Sequence, residues 1–281
     1  MPEIIYTHDG ATIECDVFGE NNRGAVILIA PAMGVRASFY RVLAEGLVAQ
    51  DCTVMPFDLR GIGGHSERRE QGANWHYQEM IVADFAAAVT HARRRFEGRP
   101  LLLLGHSLGG QLGCLFAARN PAALDGVILA ASCMVDWRGW GTVGGLKRLL
   151  QYAGIGLTTR LFGYFPGEKI GFAGNEPRGQ MKDWVRSALT GRYQFDGADI
   201  EYEKALAEVS IPILALTFHS DTFAPAAACD RLLLKMPRAS AKHLDLSDAD
   251  VGLKQAGHFQ WARQPAKVIP HISDWLHENF G

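Results

Sequence analysis

The chain has 281 residues, 28 Lys and Arg against 30 Asp and Glu, and a formal net charge of −2. That length suffices to bury a large core, and the near-neutral balance leaves no basic footprint for nucleic acid. Five scattered cysteines (Cys15, Cys52, Cys114, Cys133 and Cys229) form no C-x-x-C pair, which argues against a disulfide framework or a zinc site and for reduced thiols in the cytoplasm.

The N-terminus, Met-Pro-Glu-Ile-Ile, shows no basic stretch leading into an apolar one, so no signal peptide is expected. No apolar run reaches the length of a membrane span. Residues 4–7 and 12–18 flank an Asp9-Gly10 turn and predict a hairpin at a sheet edge. Residues 25–30 read as a buried strand ending in the small-residue loop Pro31-Ala32-Met33-Gly34. A helix follows over 39–50, then a strand over 53–58 and the Gly-rich loop Leu59-Arg60-Gly61-Ile62-Gly63-Gly64-His65-Ser66. Residues 77–96 space Ile81, Phe85, Ala88 and Val89 along one helical face. The basic run Arg93-Arg94-Arg95 closes that helix, where cations suit its dipole.

Leu101 to Leu104 is an unbroken apolar run, fit for a strand buried on both faces. Gly105-His106-Ser107-Leu108-Gly109 follows at once as G-x-S-x-G, and a helical pattern starts with Leu108, Leu112, Leu115 and Phe116. A serine at a sharp strand-to-helix turn is held exposed in strained backbone, and the helix start aims free N–H groups at it. Another strand is expected over 124–131.

The alternation then stops. Residues 134–209 are rich in aromatic residues and glycine, and only 146–152 and 181–189 suggest short helices. Two readings are open: a cap inserted over the strand ends, or further core helices. Alternation resumes with a strand over 212–218, a helix begun by Pro225, a strand over 242–246 and a closing helix over 265–280. Strands alternating with helices call for an α/β fold, a mostly parallel sheet with helices on both faces. The core is assigned to 1–133 and 210–281 and the cap to 134–209. Ligands of such sheets bind beyond the carboxyl ends of the strands.

A serine nucleophile needs a base and a group to orient that base. His258 follows the last strand. Three acids compete to orient it: Asp221 after the 212–218 strand, Asp136 after the strand that follows Ser107, and Asp250 in an acidic loop. His106 reads as a packing or hydrogen-bonding residue, His219 as exposed or structural, and Asp58 and Arg60 as ties within the Gly-rich loop. No H-E-x-x-H or clustered His/Asp set argues for a metal, and no cofactor is indicated.

The set G-H-S-L-G-G at 105–110, D-L-R-G-I-G-G-H-S at 58–66, S-D-T-F-A-P at 220–225 and G-H-F at 257–259 resembles the α/β-hydrolase superfamily. The resemblance implies Ser107 as nucleophile, Asp221 as acid and His258 as base. It implies oxyanion donors on the backbone N–H groups of Leu108 and Met33, with Pro31-Ala32 replacing the His-Gly common there. It implies a serine hydrolase of carboxylic esters or thioesters; the same triad would also serve an acyltransferase, and a non-catalytic binding protein on this fold is the remaining alternative. Dehalogenase and epoxide hydrolase chemistry needs an Asp at the elbow and is disfavoured. The aromatic cap predicts a mainly apolar small-molecule acyl substrate, with Met33, Trp137, Trp140, Phe165 and Trp184 lining its pocket. No nucleic-acid partner is expected, and no sequence feature assigns an oligomeric state.

Overall fold

The structure is a computed structural model that describes residues 2–66 and 72–281. Six strands form the central sheet: β3 (Val26–Ala30), β4 (Thr53–Pro56), β5 (Leu101–His106), β6 (Gly126–Ala130), β9 (Ile213–Phe218) and β10 (Ala241–Leu246). Their order across the sheet is β10-β9-β6-β5-β3-β4, and every pair is parallel. This is the α/β-hydrolase fold that the motifs implied. The N-terminal hairpin, β1 (Glu3–Tyr6) and β2 (Thr12–Cys15), is antiparallel. It meets the sheet edge through single bridges, Cys15 to Phe57 and Phe18 to Val54.

The strands are apolar on both sides because both sheet faces are covered. Along β3, Val26, Leu28 and Ala30 join one core cluster, while Ile27 and Ile29 join the other. Leu101 and Leu103 of β5 alternate in the same way with Leu102 and Leu104. This is the period of two carried into two separate cores. Helices α1 (Arg41–Val48) and α8 (Ile269–Phe280) cover one face with Leu43, Leu47, Ile272 and Trp275. The other face carries α2 (residues 77–95) and α3 (Leu108–Arg119), through Ile81, Phe85, Leu112 and Leu115. Helix α2 is continuous, but its turns widen over Met80–Phe85.

Residues 134–209 add no strand to the central sheet. They form α4 (Gly141–Phe162), a two-stranded ribbon of β7 (Tyr164–Pro166) and β8 (Asn175–Pro177), α5 (Arg178–Thr190) and α6 (Tyr202–Ala207). The two long helices exceed the expected 146–152 and 181–189. Helix α4 carries five glycines and several β-branched residues, which lower local helix propensity; packing against α5 and the ribbon sustains it. Short α6 lies against α3, so the end of this segment joins the core layer. Helix α7 (Ala226–Leu233) begins after Pro225, which stands one position before the first turn. No helix among the described residues is long and apolar enough to cross a membrane.

Candidate active site

Ser107 stands between β5 and α3 with φ 51° and ψ −115°, a backbone region that costs a non-glycine residue about 1–3 kcal/mol. The surroundings hold it there. Its N–H donates to Ala130 O at 3.3 Å, and its carbonyl accepts from Gly110 N–H at 3.1 Å. Ser132 Oγ, from the loop after β6, donates to the same carbonyl at 2.7 Å. Gly105 and Gly109 make the turn possible. A Cβ on Gly105 would meet the Gly109–Gly110 backbone, and one on Gly109 would meet the carbonyls of Ala30 and Pro31. The second contact brings the start of α3 against the end of β3, and so places Leu108 beside the Pro31–Gly34 loop.

Asp221 and His258 are brought together. Asp221 is 2 % exposed. Its Oδ1 accepts from the N–H groups of Phe223 at 2.8 Å and Ala224 at 3.1 Å, which leaves Oδ2 to face His258 Nδ1 at 2.7 Å. A cross-brace holds the two loops together. Ser220 Oγ donates to Asp248 Oδ1 at 2.6 Å, Ala256 N–H donates to the same oxygen at 2.8 Å, and Gly257 N–H donates to Ser220 Oγ at 2.8 Å. These bonds hold the Asp248 carboxyl below the usual range. The other two acids are engaged elsewhere. Asp136 is fully buried and pairs with Arg138 and Arg231; Asp250 binds the N–H and hydroxyl of Ser247 at 2.8 and 2.7 Å.

His106 is buried as a hydrogen-bonding residue. Burial raises the Tyr40 phenol far above its usual range, so the hydroxyl keeps its proton. It accepts from Ala32 N–H at 3.0 Å and shares a hydrogen bond of 2.7 Å with His106 Nδ1. Tyr40 thus ties the loop carrying Met33 to the residue before Ser107. Burial, and then the neighbouring His258, press the His106 pKa well below the usual imidazole value. Asp58 does tie the Gly-rich loop, accepting from Gly64 N–H at 2.8 Å and from Ala37 N–H at 2.7 Å. Arg60 instead reaches Asp84 on α2 and Asp9 in the hairpin. His219 is exposed and faces Asp245.

Ser107, Leu108, Met33 and His258 line one cavity of about 640 Å³. The N–H groups of Met33 and Leu108 have no hydrogen-bond partner among the described residues. Neither does the Ser107 hydroxyl. Phe165 and Trp184 of the 134–209 segment line the cavity, whereas Trp137 and Trp140 do not. Trp140 Nε1 instead donates to Thr222 O at 2.9 Å, and Arg148 stacks on its ring. Trp137 carries Arg138 over its ring and meets Gly145 of α4. Both indoles are thereby used to join α4 to the Asp221 loop and the core.

Several lining residues carry no motif. Gln111 stands one helical turn past Ser107, 1 % exposed, with Oε1 buried and unpartnered. Phe223 packs on His258 at 5.3 Å between ring centroids. Cys133 also lines the cavity, but burial raises its thiol well above the usual value and keeps it protonated, so it is no rival nucleophile. Among the described lining residues none is acidic. No group of three or more potential metal-binding side chains occurs among the described residues.

Residues 21–157 match the family model of the serine aminopeptidases, S33. Human monoglyceride lipase (Homo sapiens) is 30 % identical over 105 residues, which are 37 % of this chain and 34 % of the lipase. The match therefore spans about a third of the relative's own length. Among solved structures, mouse alpha/beta hydrolase domain-containing protein 10 aligns with TM-score 0.66 and 15 % identity, over 99 % of each chain. An esterase from Exiguobacterium antarcticum aligns with TM-score 0.65 and 12 % identity, over 99 % of this chain and 100 % of the esterase.

Proposed function

We propose, from the α/β-hydrolase fold and the likeness of residues 21–157 to the serine aminopeptidase model, that the chain is a serine hydrolase cleaving a carboxylic ester or thioester through an acyl-enzyme on Ser107. The observation that carries the reading is the Asp221–His258 hydrogen bond of 2.7 Å on the wall of the cavity that Ser107 also lines. With Nδ1–H held by Asp221, His258 presents a basic Nε2 that takes the Ser107 proton as Oγ attacks the carbonyl carbon. The developing oxyanion is met by the unpartnered N–H groups of Leu108 and Met33 and by the N-terminus of α3. Collapse expels the alcohol or thiol with the proton from His258. Water then attacks the acyl-enzyme by the same route.

Residues 134–209 act in this reading as a cap, with Phe165 and Trp184 shaping an apolar acyl site. An aminopeptidase must also hold a peptide ammonium, and the described lining offers no carboxylate for it, while Arg148 lies among the lining residues; that disfavours a substrate with a free ammonium. The test is turnover of p-nitrophenyl esters and acyl-CoA thioesters of graded chain length by the wild type and Ser107→Ala. Turnover that rises with acyl length and is lost in Ser107→Ala supports the proposal. Equal turnover by a folded Ser107→Ala protein rejects it.

A further inference from the structure

Helix α4 has a second face that the reaction does not use. Val143, Leu146, Leu150, Leu157, Leu161 and Phe162 are each between 57 and 72 % exposed. Intervals of three, four and seven residues put the first five on one side of the helix. The buried positions Gly145, Tyr152 and Thr159 recur every seven residues and mark the inner side. Ile170, after β7, is 66 % exposed and extends the patch. Large side chains in a contiguous exposed stripe mark a surface that meets something apolar.

Charge selects what it meets. Gly141–Phe162 contains no Asp or Glu, while Lys147 and Arg160 lie exposed within it and Lys169 is exposed beside Ile170. None of these three cations has an ion-pair partner among the described residues. A second copy laid on this face would set Lys147 and Arg160 against their own kind. An anionic lipid leaflet offers both complements, hydrocarbon for the leucines and headgroup charge for the cations. The cavity opens at the same place, since Gln151, Gly154 and Ile170 are at once exposed and cavity-lining.

We infer that the outer face of α4, with Ile170 and Lys169, is a docking surface for an anionic lipid bilayer. The helix lies flat on the leaflet, and the cavity mouth faces the headgroup layer. Each of the three cations contributes about fivefold to partitioning onto an anionic surface.

The test is co-sedimentation with vesicles of phosphatidylcholine alone and of equal parts phosphatidylcholine and phosphatidylserine. The wild type is expected to pellet with the mixed vesicles, to bind the neutral ones roughly a hundredfold more weakly, and to bind less as salt rises. Leu146→Ser/Leu150→Ser/Leu157→Ser removes only exposed side chains outside the cavity lining. It is expected to keep the wild-type melting temperature and lose the binding. Failure of the wild type to bind mixed vesicles, or binding by the triple variant equal to wild type, overturns the inference. So does a lipid-free dimer in sedimentation equilibrium that the triple variant converts to monomer, which would give the face to a second copy. Repeating the binding with Ser107→Ala separates this result from any failure of the proposed reaction.

Discussion

Replacing Asp221 by Asn tests the orientation of His258 with little change of shape. The two N–H groups of Phe223 and Ala224 require an acceptor at the Oδ1 position, so the Asn carbonyl takes that place. Its NH₂ then falls at the Oδ2 position, 2.7 Å from His258 Nδ1, and donates to it. The imidazole is driven to carry its proton on Nε2 and can no longer accept one from Ser107. The imidazolium formed in the transition state also loses its counter-charge. At about 4 Å and an effective dielectric near 20 that pair is worth about 4 kcal/mol, or about three decades in rate. With the tautomer effect the loss in kcat is expected on the order of 10³–10⁴. Asp136→Asn should behave in the opposite way. It weakens a buried carboxylate's pairs with Arg138 and Arg231, which are 46 and 38 % exposed. The stability loss therefore falls at the low end of the about 3–5 kcal/mol for a broken buried pair, with kcat near wild type. Asp250→Asn should change neither. The assay is initial rates on p-nitrophenyl butyrate alongside thermal melts. A folded, fully active Asp221→Asn protein with a crippled Asp136→Asn would refute the assignment.

Tyr40→Phe leaves Ala32 N–H and His106 Nδ1 without their shared partner; urea denaturation should show a loss of about 1–3 kcal/mol, and kcat should fall with little change in KM. The His106 pKa is lower in the folded protein than the ordinary 6.5, so the unfolded chain takes up this proton first. Its contribution is intact above pH ~6.5 and declines as pH falls toward the depressed folded value, by at most about 1.4 kcal/mol per unit; His106→Gln should flatten that part of the stability–pH curve. Trp184→Ala should shift acyl-chain preference while sparing an acetyl ester, and equal losses on every ester would place Trp184 in the core instead.

The elements of the core were legible because their signals are local. An apolar run such as Leu101–Leu104 needs only its own residues to read as a buried strand, and Gly105 and Gly109 announce the tight turn. Asp221 was nameable but not separable from Asp136 and Asp250, because the choice rests on which hydrogen bonds each acid spends elsewhere. The arginines around Asp136 come from positions 138 and 231, and no spacing rule joins them. The Asp248–Ser220 brace and the Tyr40–His106 link were invisible for the same reason. In the 134–209 segment aromatic content pointed to the cavity, yet an indole serves equally to clamp two loops. Phe165 and Trp184 reached the cavity, while Trp137 and Trp140 were drawn to Arg138, Arg148 and the Thr222 carbonyl.

The central claim is that Ser107 is a nucleophile activated by His258, and covalent labelling reads this without knowledge of the substrate. The wild-type protein is treated with a fluorophosphonate, digested, and the modified residue located by mass spectrometry. One adduct per chain, on Ser107, absent from Ser107→Ala and slowed in His258→Ala, is the predicted result. No adduct on the folded wild type, or an adduct on another residue that persists in Ser107→Ala, would contradict it.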